Sequence, residues 1–270
     1  MQGRIRSWRL HGTGIHHGRI GAALARRYAE QGATLGLVAR RRETLAQLVA
    51  ALPNPERHRI YALDVSDHAA LAAAAADFIE VVGGADVVIA NAGISRGTLT
   101  EYVEDMQVFE RIFAVNVLAT VATFTPFIST MKAQVQAGHR NVRLVGIGSV
   151  AGMRGLPGSE AYSASKAAVI SYCESLRLGL KSSGIRVVTI SPGFIDTPMT
   201  QTNDYPMPFM MPADKFASAA VDAIAAGVSH RVIPWQMGMV ARLLRLMPDW
   251  AYDLAFANSP RKKRGPGEAI

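Results

Sequence analysis

The chain has 270 residues, 49% of them apolar, which suits one α/β domain with a sizeable core. Its formal charge of +8 is uneven: residues 1–42 hold nine Arg against one acid, Glu30, and a second basic run, Arg261-Lys-Lys-Arg264, stands near the end. A nucleic-acid binder is disfavoured for want of a basic stripe with interleaved aromatics, and a single cysteine, Cys173, excludes an intrachain disulfide and fits a reducing compartment.

In chain order, residues 4–11 (Arg-Ile-Arg-Ser-Trp-Arg-Leu-His) make a poor buried strand, because three Arg and a His would be costly to bury. No apolar run follows this basic start, so a signal peptide is not expected and the cytoplasm is the expected location. From residue 33 a rhythm sets in. Apolar runs at 33–39, 59–63, 86–90, 142–147 and 185–190 predict strands. Helical stretches between them fall at 43–52, about 67–82, within about 101–137, and 160–182. Pro126 should kink or divide the third of these. The uncharged run 114–131 inside it carries Asn116, several Thr and Pro126, so a buried helix is expected there rather than a membrane span. Cys173 should pack within the last helix.

Such alternation predicts a doubly wound parallel sheet of Rossmann-like type, a three-layer α/β/α single domain spanning residues 1–258. Ligands of these sheets sit beyond the carboxyl ends of the strands. One rim should therefore carry Arg40, Asp64 and Val65, Asn91-Ala92-Gly93, Ser149 and residues 191–197. Residues 196–212 break the rhythm with four Pro and are expected to form a substrate flap.

Tyr162 and Lys166 stand four apart at a helix start, hence on one face. A tyrosine of ordinary pKa, about 10, is a poor base near neutrality. An ammonium about 4 Å away favours the phenolate by up to ~4 kcal/mol at an effective dielectric of about 20. The pair is a candidate general acid/base. Ser149 ends a strand thirteen residues earlier, where its hydroxyl could bond a substrate oxygen. Singly, each neighbour admits a structural reading: Ser149 as a helix cap, Asn91 as a turn former, Asn116 as a satisfied core amide. Together on one rim they point to a site.

Taken together, Asn91-Ala-Gly93, Asn116, Ser149, Tyr162-Ser-Ala-Ser-Lys166 and Ser191-Pro-Gly-Phe-Ile-Asp-Thr197 resemble the short-chain dehydrogenase/reductase family over residues 20–234. The resemblance implies a hydride transfer between a nicotinamide and a carbonyl or alcohol. It implies a tetrad in which Tyr162 exchanges the proton and Ser149 orients the carbonyl oxygen. Lys166 would hold the nicotinamide ribose and lower the Tyr162 pKa, and Asn116 would anchor a relay water. Cofactor contacts are implied for Gly14, Gly18, Ile20 and Gly21, for Asp64 and Val65 beside the adenine, for Asn91, Ala92 and Gly93, and for Tyr162 and Lys166. Pro192, Gly193, Ile195 and Thr197 would meet the nicotinamide end. No metal is implied, and a homodimer or homotetramer is. NADP rather than NAD follows from Val38-Ala-Arg-Arg-Arg42: Ala39 stands where an NAD enzyme needs a carboxylate, and Arg40 follows.

Residues 1–19 depart from the family pattern, which has an apolar first strand and a Thr-Gly-x-x-x-Gly-x-Gly turn facing the pyrophosphate. Gly14 and Gly18 keep their spacing, but Arg19 stands inserted before Ile20 and Gly21. The abrupt return to the pattern at Ile20 is what compensating frameshifts upstream would leave. An impaired turn motivates the alternative of a non-catalytic cofactor sensor or interaction protein, against which the intact tetrad argues. Residues 235–258 are expected to form a terminal helical segment packed on the domain or at a subunit interface. A membrane-surface contact there is a less favoured option. Residues 259–270 are expected to be a solvated, disordered basic tail.

Overall fold

The computed structural model describes residues 6–10, 18–201, 206–262 and 264. The strands are β1 (Arg6–Leu10), β2 (Thr34–Ala39), β3 (Arg59–Ala62), β4 (Val87–Ala90), β5 (Arg143–Ile147), β6 (Arg186–Pro192), β7 (Ile195–Asp196), β8 (Met211–Pro212) and β9 (His230–Ile233). The helices are α1 (Gly18–Glu30), α2 (Arg42–Ala50), α3 (His68–Val82), α4 (Asp105–Phe113), α5 (Ala119–Phe124), α6 (Ile128–Gln136), α7 (Glu160–Gly179), α8 (Pro198–Gln201), α9 (Ala213–Ala226), α10 (Trp235–Leu246) and α11 (Asp249–Phe256).

Seven strands form one parallel sheet in the order β3-β2-β1-β4-β5-β6-β9. The order reverses direction between β1 and β4, where such sheets open a crevice for ligands. Strands β2, β4 and β5 are buried along almost their whole length, which is why they read as apolar runs. Two cores lie on the two faces. One gathers Leu24, Leu35, Leu37, Val188 and Phe216 under α1, α2 and α9; the other gathers Phe78, Phe124, Phe127, Leu144 and Val187 under α3, α5 and α7.

The predicted strands and helices are present, with ends that coincide or are displaced by up to four residues. Three features correct the sequence reading. Residues 6–10, judged a poor strand, are paired at the sheet centre between β2 and β4, with Trp8 opposite Gly36 and Val88; backbone pairing on both sides outweighs their local sequence. Helix α9 and strand β9, which the predicted alternation ending at residue 190 does not include, complete the far edge. The tail is docked rather than solvated where described, as set out below.

The third helical stretch is divided at Pro126, as expected, by a 3-10 turn at Thr125–Phe127. It also carries an unanticipated π turn at Ala114–Leu118. Residues 105–136 are long and apolar enough to cross a membrane. Here Asn116, Ala119, Thr123, Phe124, Phe127 and Met131 face the protein core. Cys173 is buried on α7.

Candidate active site

The strand ends set the site. Strand β5 stops at Ile147 level with Ile190 of β6, and β4 stops at Ala90 level with Gly146. Beyond β5, Ser149 caps a 3-10 turn, Val150–Gly152, its Oγ accepting from the Ala151 N–H at 3.1 Å. The capping reading and the catalytic one thus coincide, since the hydroxyl proton is still free to serve as a donor. That turn is pressed against α7: a Cβ built on Gly152 would fall 2.6 Å from the Lys166 carbonyl carbon and 2.8 Å from Ala167 N. Glycine is what lets Ser149 approach the helix bearing Tyr162 and Lys166.

The start of α7 is fixed from the other side. Thr98, fully buried, bridges to Ser159, and its Oγ1 accepts from the Ala161 N–H at 3.1 Å. One of the helix's unpaired amide donors is satisfied in this way. Glu160 in the first turn accepts from the Thr100 N–H at 2.8 Å.

Lys166 is 3% exposed, and its Nζ donates to the Ile147 carbonyl at 2.9 Å. It lies 5.9 Å from the centre of the Tyr162 ring. A positive charge this near the ring favours the phenolate, by about 2–4 kcal/mol for charges some 4–8 Å apart at an effective dielectric of about 20. Burial pulls the Lys166 pKa down to about 8, so the ammonium is still mostly charged at neutral pH. Asn116 sits in the π turn with its amide fully engaged. Oδ1 accepts from the Ile94 N–H at 2.8 Å, while Nδ2 donates to the Ile94 carbonyl at 3.0 Å and to Ser165 Oγ at 2.9 Å. It stands behind the cavity, tying the loop after β4 to α7.

A cavity of about 100 Å³ is bounded by Ile20, Asn91, Ser149, Tyr162, Lys166, Pro192, Gly193, Ile195 and Thr197 among the sequence-derived candidates. Asn91 Nδ2 is buried with no hydrogen-bond partner. An orphaned amide beside a buried ammonium fits a ligand with oxygen acceptors, such as a nicotinamide nucleotide. The other candidates lie on the rim outside this cavity. Arg40 is exposed beyond β2, followed by exposed Arg41 and Arg42. Gly18 and Gly21 open α1, Val65, Ala92 and Gly93 follow β3 and β4, and Gly14 is outside the described residues. The carboxylate of Asp64 is committed to Arg111, 2.7 Å away, and to Ser66. Burial alone would raise its pKa, but these donors together hold it below the ordinary value. The inserted Arg19 lies 3.8 Å from Asp196 of β7. A larger groove of about 800 Å³ between α7 and α11 receives none of the tetrad.

The cavity has further walls that the sequence did not single out, Ser95, Ser159 and Lys262, while Met199 and Thr200 belong to the segment expected to form the substrate flap. Ser95 is two residues past a motif that had been singled out. Lys262 gave no local signal beyond its charge. The basic tail is docked: Lys262 Nζ donates to Ser95 Oγ at 2.5 Å, and Arg264 bonds Asp105 at 2.9 and 3.0 Å. A run of cations reads as solvated until a tertiary fold supplies buried acceptors.

Compared with known proteins, residues 13–206 match the family model for short chain dehydrogenases. An uncharacterized oxidoreductase of Mycobacterium tuberculosis is 34% identical over 251 residues, 87% of this chain and 92% of that protein. An uncharacterized oxidoreductase of Myxococcus xanthus is 37% identical over 173 residues, 64% of this chain and 66% of that one. The crystal structure of a 3-ketoacyl-(acyl-carrier-protein) reductase from Brucella melitensis complexed with NADH covers 86% of this chain and 96% of its own. It superposes with a TM-score of 0.75 at 24% identity, a likeness of fold.

Proposed function

The chain belongs to the short-chain dehydrogenase family of oxidoreductases, and from that premise we propose that it is an NADP(H)-dependent enzyme acting on a carbonyl or alcohol, with Tyr162 as its general acid/base. The observation that carries this reading is the convergence of Ser149, Tyr162 and fully buried Lys166 on one cavity. Bound there, the nicotinamide supplies or accepts the hydride. The residues suited to hold it are Ile20, Asn91, Lys166, Pro192, Gly193, Ile195 and Thr197.

In the reductive direction Tyr162 Oη gives its proton to the substrate oxygen while Ser149 Oγ donates a hydrogen bond to it; in the oxidative direction Tyr162 takes the proton back. Lys166, anchored on the Ile147 carbonyl, offsets the charge that Tyr162 develops. Asn116 acts through position, holding the Ile94 loop against Ser165. The preference for NADP rests on Arg40 and its neighbours, exposed where a 2′-phosphate would lie and with no carboxylate at Ala39. A homodimer or homotetramer belongs to the same reading, supported by Leu118 and Leu178, which stand 52% and 63% exposed on the helices carrying Asn116 and Tyr162. So does a cytoplasmic location.

Fluorescence titration with NADPH and NADH, followed by a carbonyl panel read at the nicotinamide absorbance, tests the proposal. Tighter binding of NADPH is expected. Tyr162→Phe should keep that affinity and lose about 10²–10⁴ in turnover. Turnover unchanged in this variant would overturn the assigned role.

A further inference from the structure

Beyond α11 the chain returns to the cavity, which Lys262 helps to wall. Its backbone is seated on Gly158: a Cβ built there would fall 2.8 Å from Lys262 N and 2.9 Å from Arg261 Cβ, and Gly158 has φ +69°. The Arg264 guanidinium grips the Asp105 carboxylate and reaches Glu104 at 3.0 Å, with its central carbon 3.6 Å over the Tyr102 ring. Asp105 is itself buried and also accepts from the Leu99 N–H at 2.8 Å. A planar cation held by stacking and two-pronged hydrogen bonding is a directional anchor rather than a loose surface pair.

This anchor aims Lys262 inward. Its Nζ lies 5.6 Å from the centre of the Tyr162 ring and bonds Ser95. None of the ion pairs among the described residues involves it. Burial accordingly pulls its pKa down to about 8, with no opposing acid among the described residues. A buried ammonium that lacks an anion is costly, and a ligand carboxylate arriving there would relieve that cost. A single monovalent cation with one hydroxyl beside it matches a monoanion; a phosphate dianion calls for more donors. The carbonyl to be reduced must lie at Tyr162, so its carboxylate partner at Lys262 must belong to the same small molecule.

We propose that Lys262 is a specificity-determining residue that pairs with a substrate carboxylate, making oxo acids and the corresponding hydroxy acids the substrate class. The inference rests on the oxidoreductase reading above. With NADPH-loaded protein, a panel of 2-, 3- and 4-oxo acids is compared with the neutral methyl ester of each. The wild type should prefer the acid of a pair. Lys262→Met should lose roughly 30-fold or more in kcat/KM on that acid, mainly through KM, which is the lower end of the cost of truncating one partner of a buried ion pair. Any change in kcat from removing a charge 5.6 Å from the Tyr162 ring falls on acid and ester alike, the KM of the ester should not change, and NADPH affinity should not move. Deleting residues 259–270 should abolish the discrimination in the same way.

Equal losses on acid and ester would overturn the proposal in favour of a structural role. Gains on both would overturn it in favour of a tail that blocks the site. Binding of the acids and esters to NADP-loaded protein by calorimetry gives a readout without turnover: a Lys262-dependent preference for the acid sustains the charge assignment even where Tyr162→Phe fails its own test, and equal binding removes it.

Discussion

Asn116 shows how a single side chain serves two ends. Its amide satisfies both backbone groups of Ile94 and reaches Ser165, so three polar partners depend on it at a position 1% exposed. Asn116→Leu keeps approximate volume and strands those groups. About 2 kcal/mol of stability should be lost, seen as a lower urea midpoint at unchanged slope. An unshifted midpoint would mean that water replaces the amide. Lys166 carries the opposite balance, because its burial costs stability. Its pKa is lowered from 10.5 to about 8 by desolvation. Between those values the unfolded chain holds a proton that the folded one has shed, so this group makes stability rise with pH across that window and leaves its full cost in place below it. Lys166→Met should therefore stabilise the cofactor-free protein near pH 7 by up to about 3 kcal/mol, less whatever the orphaned Ile147 carbonyl takes back. That gain should shrink towards about pH 10, as followed by Tm at each pH.

At the scale of elements, the approach of the 150–152 turn to α7 is the contact on which Ser149 depends. Gly152→Ala would drive a methyl into the backbone of Lys166 and Ala167, which cannot yield as a side chain end would. The expected result is a loss of about 1–3 kcal/mol in stability, together with a fall in kcat that tracks the displaced Ser149 rather than a change in NADPH affinity. Denaturation and steady-state kinetics on the same preparation separate the two. Much of this level was legible in the sequence. Strands buried on both faces announce themselves as apolar runs, and the ends of β2 to β6 then place Arg40, Asp64, Asn91, Ser149 and residues 191–197 on one rim. The π turn at Ala114–Leu118 was not legible: its extra residue per turn leaves no mark on the apolar spacing. Nor was β1, whose place depends on the strands either side of it and not on its own Arg-rich composition.

For the molecule as a whole, the candidate acid/base residues come from the middle of the chain and the candidate cofactor contacts are spread from Ile20 to Thr197, while the last wall of the cavity comes from residue 262. Contacts between positions 95 and 262, or 105 and 264, are separated by more than half the sequence. No periodicity can foreshadow them, which is why the tail read as solvent-facing. Exposed Trp235, Leu243, Leu246, Trp250 and Leu254 on α10 and α11 give the outer surface of the same region an apolar character.

The docked tail also bears on how the gene for such a protein would tolerate damage. Translation completes the sheet, both cores and the tetrad before residue 262 emerges. A stop codon just after α11 would then spare folding and nicotinamide binding and remove the cation at Lys262. Such an allele would be scored by abundance as silent and by metabolism as a change of diet, because the protein that remains would no longer tell an acid from its ester.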